Sequence, residues 1–340
     1  MKQIFIFLSL LLTISWTCFS CNEDGHKIIS KKYKEENIVY VCPDSIHEIK
    51  LSINGNMPRP YLIGDYLVIR DSNPIDYFFF VFDKKNMTYL GAFLPKGHGP
   101  GEICRTESNP VPSIDNPQCF FLLADNLKLL RVNIDSAITL TDYKPTQLFD
   151  WSNDKTKFPI LKAFINKDEA IASIFEPTGN RGFNETIGKF NLQTGVMQKF
   201  DYYPSGVERK KVSIITSTKH NICAEVYQNY NLITLYDLNG NPKCNIYGPN
   251  WKPDEEDGKK HFSKAEIVGD KLLAGYSGKE IGPDHTPDRI LVFDLDGNYI
   301  KSLHLSGQRI RDFCYDKEGN RLFVKTNDYI LASLSLDGLL

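Results

Sequence analysis

"ILVFDLDGNYIKSLHL", residues 290–305, decides the fold. An apolar run leads to Asp294, a short turn of Asp, Gly and Asn follows, and a second apolar run leaves it. "LITLYDLNGNPKCNIY", residues 232–247, repeats the plan when Asp237 is set against Asp294. A glycine ending such a turn takes positive φ without steric cost, so Gly240 and Gly297 mark tight hairpin loops. Weaker copies put Asp83, Asn133, Asn191 and Ser335 at the same point, and the six positions lie 41 to 58 residues apart. A calcium loop needs D-x-D-x-D-G and a distant glutamate, and these turns have too few carboxylates.

Two further apolar runs precede each copy. "YLIGDYLVI" (61–69) and "AEIVGDKLLAG" (265–275) both turn at Gly-Asp, and "DFCYDKEGNRLFVK" (312–325) turns at "KEGN". Helical periodicity is almost absent, and the runs are rich in β-branched and aromatic residues. Each unit is therefore four antiparallel strands, A to D. Six such units predict an all-β chain, a six-bladed β-propeller. The sixth unit reaches Leu340 before a D strand. An open edge invites aggregation, so an N-terminal strand is expected to close the ring, from "NIVYV" (37–41) or "IHEIKLSI" (46–53).

The N-terminus reads differently. Lys2 precedes the apolar run Ile4 to Trp16, which is too short to span a bilayer comfortably and suits a signal peptide. In "TCFSCNEDG" (17–25), Ser20 stands before Cys21, the expected lipidation site, and acids follow it. This resembles the lipoprotein signal and acidic export tag of surface lipoproteins of the Bacteroidetes type. The expected organisation is a lipoprotein signal peptide at 1–20, an acidic and polar tether at 21–36, and the propeller at 37–340, with the residues before Lys31 dispensable for folding. The expected address is the outer membrane, through the lipid anchor, either surface-exposed or periplasm-facing. Cys42, Cys104, Cys119, Cys223, Cys244 and Cys314 are widely spaced without a C-x-x-C, and read mainly as free, buried thiols.

The net charge of −2, with 41% hydrophobic and 24% charged residues, is that of an ordinary globular chain and argues against a nucleic-acid partner. "LPKGHGPGE" (94–102) lies between the first and second units. It lacks the Lys-Ser/Thr pair and the helix of a phosphate-binding loop, so it reads as a structural turn built on Gly97, Gly99, Pro100, Gly101 and Glu102. With the prolines at 110 and 112 and "FFLLADNLKLLRVNIDS" after it, the stretch resembles the NHL-type propeller repeat. "GHGPGE" is similar to the G-x-G-P-G-E signature of six-bladed, TolB-like propeller lipoproteins. The resemblance is sharp over 94–140, and it departs where Ile103 and Cys104 replace the usual aromatic. It implies a lipid-anchored propeller and no defined chemistry.

No nucleophile elbow, zinc-protease motif or Cys-His signature is present, so no catalytic residue, metal or cofactor is assigned. In an up-and-down blade the D–A and B–C connections share one face, and the long connections here are of those two kinds. Long loops gathered on a rigid scaffold are where binding usually sits. The candidate ligand face is therefore His98, Arg105, Trp151, Arg181, Trp251, His261, Asp284, His285 and Arg289. A non-catalytic binding or scaffolding module is expected, with a glycan, peptide or envelope protein as partner. The alternative is a hydrolase or lyase acting on a polysaccharide or related polymer at the same face.

Overall fold

The computed structural model describes residues 19–21, 27–51, 53, 58–179, 182–208, 210–249, 251–252, 257–282 and 285–340, with backbone alone at 19–21 and 27. It is an all-β, six-bladed propeller of four-stranded antiparallel sheets. Blade one is Pro58–Ile63, Tyr66–Asp71, Tyr77–Asp83 and Tyr89–Pro95. Blade two is Val111–Pro112, Cys119–Ala124, Lys128–Asn133 and Thr146–Asp150. Blade three is Phe158–Phe164, Glu169–Pro177, Phe183–Asn191 and Met197–Lys199. Blade four is Val212–Ser217, Ile222–Tyr227, Leu232–Tyr236 and Pro242–Tyr247. Blade five is Lys259–Val268, Lys271–Glu280, Arg289–Asp294 and Tyr299–Leu305.

Blade six takes Ile310–Asp316, Arg321–Thr326 and Ala332–Ser335 from the end of the chain and Ile46–Glu48 from its beginning. Ala332 pairs with Glu48 and Leu334 with Ile46, antiparallel, so an N-terminal strand closes the ring. The other candidate, Ile38–Val41, lies parallel to Tyr299–Leu305 as a fifth, outer strand of blade five. Lys27–Lys32 does the same on blade four, parallel to Pro242–Tyr247. Part of the stretch read as a tether is thus built into the propeller. Ile28 and Tyr33 are buried and Glu35 is bonded to Arg289, so the residues before Lys31 are not all free of the fold.

The repeat has a physical cause. Asp83, Asn133, Asn191, Asp237, Asp294 and Ser335 each end, or immediately follow, a C strand and fold the chain back by accepting amide hydrogen bonds. Asp83 Oδ1 accepts from Lys85 N and Asn86 N. Asp237 Oδ1 accepts from Asn239 N and Asn241 N, and Asp294 Oδ1 from Asp296 N and Asn298 N. Asn191 Oδ1 accepts from Gln193 N and Thr194 N, and Ser335 Oγ from Asp337 N. These are Asx- and Ser-type turns, in which a short polar side chain replaces backbone partners. In blade two the chain departs from the hairpin plan. Asn133 accepts from Ser136 N as the N-cap of a short helix, Ile134–Thr139. The residue keeps its job while the connection grows.

Gly240 and Gly297 have φ of +90° and +88°. Each turn also presses on the preceding blade. A Cβ on Gly240 would stand 2.3 Å from the Phe200 ring, and one on Gly297 3.0 Å from Ile246. Apolar side chains from neighbouring blades fill each inter-blade gap, such as Phe79, Phe93 and Phe120 between blades one and two. At the closure, Leu67 and Phe82 of blade one meet Phe323 and Leu331, and Ile49 and Leu51 pack beside them. All six described cysteines are free, and Cys119, Cys223, Cys244 and Cys314 are buried.

"LPKGHGPGE" forms a closed corner between blades one and two. Ile103 N donates to Pro95 O at 2.9 Å and Gly97 N to Ile103 O at 3.0 Å. The Glu102 carboxylate folds inside and accepts from Gly99 N at 2.7 Å. It occupies the space of a Gly97 side chain, since a Cβ there would lie 1.9 Å from Glu102 Oε2. Ile103, where the resembling signature has an aromatic, is 2% exposed in the core between blades one and two.

Candidate functional site: the mouth of the central channel

The A strands face inward and enclose a channel of about 620 Å³. Its walls mix apolar surface, such as Tyr61, Ile160 and Ile214, with the hydroxyls and amide of Ser213, Thr216, Ser263 and Gln228. Five basic side chains line it, Arg59, Lys162, Lys260, Lys264 and Arg311, against two acidic ones, Glu266 and Asp312. Both acids are engaged by Lys264, whose Nζ lies 3.6 Å from each carboxylate. Arg59 Nε reaches the other oxygen of Asp312 at 3.7 Å. Burial alone would lower the Lys264 ammonium, but Asp312 and Glu266 overcome it and hold the group well above the usual lysine range. Burial pushes the Glu266 carboxyl up, and the nearby Lys264 offsets only part of that.

The remaining cations, Lys162 apart, gather at one end. Arg59, Lys260 and Arg311 are each the second residue of an A strand, and Lys211 immediately precedes another. A strands begin where D–A connections arrive, so this mouth opens on the face of the D–A and B–C loops. Lys325, near the end of a B strand, joins from the same side. Burial lowers the Lys260 ammonium, and Lys211 and Arg59 lower it further by repulsion. Burial likewise lowers Lys325, with Arg311 and Arg59 adding to it and Asp312 and Asp71 opposing. Arg311 Nε is held by Asn327 Oδ1 at 2.9 Å. Deeper in, burial lowers Lys162 against the pull of Glu185.

None of the described loop residues picked out from the sequence lines this channel. Trp151 stacks on Phe149 at 5.3 Å and meets Phe190 edge-on. Trp251 packs on Tyr247 and Tyr230. Both aromatics are spent on packing, although Trp251 and His261 share a smaller cavity of about 170 Å³ with Tyr230 and Asp257. His261 is buried, with Nε2 3.0 Å from Asp257 Oδ1, and burial holds its imidazole below the usual range. Arg289 is clamped between Glu35 at 2.9 Å and Asp288 at 2.8 Å, over the Tyr276 ring. Arg105 pairs with Glu107 at 2.6 Å, His285 bonds the backbone of Gly282 in its own turn, and His98 Nδ1 lies 3.0 Å from Cys104 Sγ. Arg181 and Asp284 lie outside the described residues, as does the Cys21 side chain.

The cations missed from sequence carry a faint signature. "PRPY" (58–61), "KKVS" (210–213), "KKHFSK" (259–264) and "RIRDF" (309–313) each put a basic residue at the start of an inner strand. Read singly, each is an ordinary solvated lysine or arginine. Only the sixfold repeat, phased to the A strands, brings them to one place.

No family model matches the chain, and no curated protein matches it. Solved structures do. A member of the DUF4221 family from Bacteroides vulgatus aligns with a TM-score of 0.56 at 10% identity, covering 85% of this chain and 95% of its own. A luciferin-regenerating enzyme aligns at 0.51 with 10% identity, covering 82% and 86%. At such identity the likeness supports the propeller fold alone. Among the described residues no group of three His, Cys, Asp or Glu side chains is placed to hold a metal, and no helix is long and apolar enough to cross a membrane.

Proposed function

We propose that this protein is a lipid-anchored propeller of the TolB-like or NHL-like kind that binds its ligand at the mouth of the central channel on the D–A and B–C face. The observation that carries the reading is the channel itself. It has the volume of a small-molecule site, and its mixed wall of rings, hydroxyls and cations is what a polar ligand needs. The role is binding or scaffolding in the cell envelope, with a glycan, a peptide or another envelope protein as partner. A glycan and peptide array probed with the protein lacking its lipid tests this. Binding that a bulky channel substitution, Ser263→Trp, abolishes is expected, and binding that survives it removes the channel from the account.

The sequence supports the address. Cys21 follows the short apolar leader and precedes "NEDG". Cys21→Ala is expected to abolish acyl labelling and membrane retention, and a variant that keeps both contradicts the anchor.

One observation favours a second reading, a hydrolase or lyase acting on a polysaccharide. Glu266 and Asp312 flank Lys264 in the channel, with Tyr61 beside it. A carboxyl raised by burial with a second carboxyl across the same lysine suits acid and base roles. Turnover of any array ligand that Glu266→Gln removes, with binding retained, would select this reading.

A further inference from the structure

We infer that the channel takes an anionic ligand, a small hydroxylated molecule bearing carboxylate, sulfate or phosphate, gripped by Arg59, Lys260 and Arg311 at the mouth. The inference rests on the reading of that mouth as the binding face and names the chemistry it selects. The protein as a whole carries a net charge of −2, so a cationic mouth runs against its overall charge. The two acids of the channel are spent on Lys264 and Arg59. Among the described residues no ion-pair partner lies within 4.0 Å of Lys211, Lys260 or Lys325. Three of the six inner strands begin with the same arrangement, so the charges converge from blades one, five and six on one axis.

Such a cluster is costly in the free protein. Like charges placed together at the edge of a low-dielectric wall repel more strongly than in water. An arrangement of this kind persists where an incoming anion relieves it, and sites that bind are commonly built at the expense of stability. Arg59 and Arg311, on the neighbouring blades one and six, offer planar forks for two-oxygen contacts with carboxylate, sulfate or phosphate, and Lys260 on blade five adds a point charge beside them. Ser213 and Gln228 line the channel at the level of the cations and the hydroxyls of Thr216 and Ser263 lie deeper, where they can meet hydroxyl groups, while Tyr61 and Tyr315 present ring surface. The channel's volume suits one or two sugar units more than a polymer threaded through it.

The test uses the mature propeller and four probes: digalacturonate, a sulfated lactose, pyrophosphate and lactose. Calorimetric titration at low salt is expected to show binding of at least one anionic probe and none of lactose. The affinity falls as salt rises, because exposed charge pairs are screened. Arg59→Gln and Lys260→Gln each weaken that binding about tenfold or more, as loss of a charge-assisted contact implies, while Lys167→Gln on the A–B face leaves it unchanged. Which probe binds distinguishes a sugar acid or sulfate from free phosphate. A second readout needs no ligand. Lys260→Gln is expected to melt at a higher temperature than the parent protein at low salt, with the difference shrinking at high salt. Lactose bound as tightly as its sulfated form, anion binding indifferent to both variants, or a Lys260→Gln protein that melts no higher at low salt would each overturn the inference. Failure of every anionic probe would overturn it too, while a channel-dependent hit on an uncharged glycan or peptide of the array would leave the binding face standing.

Discussion

The six turn residues show how much one side chain decides. Asp294 does not pack and lines no channel, yet its carboxylate holds the amides that reverse the chain. Amides donated by Asn86 and Lys85 hold the Asp83 carboxyl below its usual range. Burial raises Asp237, but the side chain and amide of Asn241 and the amide of Asn239 outweigh it and leave the carboxyl lowered. A carboxyl depressed in the folded state contributes stability above its unfolded value, about 4, and loses it as pH falls through the folded value. The acid limb of the denaturation midpoint should therefore flatten in an Asp83→Asn, Asp237→Asn double variant, where an amide oxygen accepts without titrating. An acid limb identical to the parent's would remove these turns from the pH response. Gly240 makes the complementary case. Its positive φ and its approach to Phe200 predict that Gly240→Val costs well over the ~1 kcal/mol of backbone strain alone. Urea denaturation reads this directly, and an unchanged midpoint contradicts the packing.

At the scale of the element, the strands were legible and their inner face was not. Period-two runs ending at Asp or Asn fix where a C strand stops, because turn chemistry is local. What a strand buries depends on its neighbours. Glu225 sits mid-strand in blade four, in "NICAEVY" (221–227), and glutamates are rarely fully buried unless paired. It is fully buried, bonded to Lys210 at 2.8 Å and accepting hydrogen bonds from Tyr227 and Tyr236 at 2.7 Å each. The same blindness hid Arg59, Lys260 and Arg311, which are unremarkable until the ring brings them together. The loop residues erred the other way. Trp151, Trp251 and Arg289 look like recognition groups, but each found a partner within the fold. A buried pair of this kind is unforgiving when one partner is lost. Glu225→Leu is expected to strand the Lys210 ammonium and cost about 3–5 kcal/mol. The double variant with Lys210→Met should recover much of that, measured as a double-mutant cycle in thermal unfolding. Additive losses would mean that the two groups do not act as a unit.

The whole molecule depends on a closure that no single blade can supply. The chain runs along the outer edges of blades four and five, completes blade six with Ile46–Glu48, and only then begins blade one. The first and last parts of the sequence are thereby held in one sheet, and the channel exists because they are. The outer strands add to this. Burial of Ile28 and Tyr33 contributes roughly 1.5–3 kcal/mol for a side chain of the size of Ile28, and Glu35 ties the segment to Arg289 and Ser302. Thermal unfolding of three N-terminal deletions, beginning at Lys27, Asn37 and Asn54, tests the closed ring most directly. The first should melt cooperatively at the highest temperature. The second should melt lower but as one transition, having lost the strand on blade four. The third lacks Ile46–Glu48 and should show no sharp transition. A protein beginning at Asn54 that melts as sharply, and at the same temperature, as one beginning at Lys27 would contradict closure by the N-terminal strand and reopen the channel built on it.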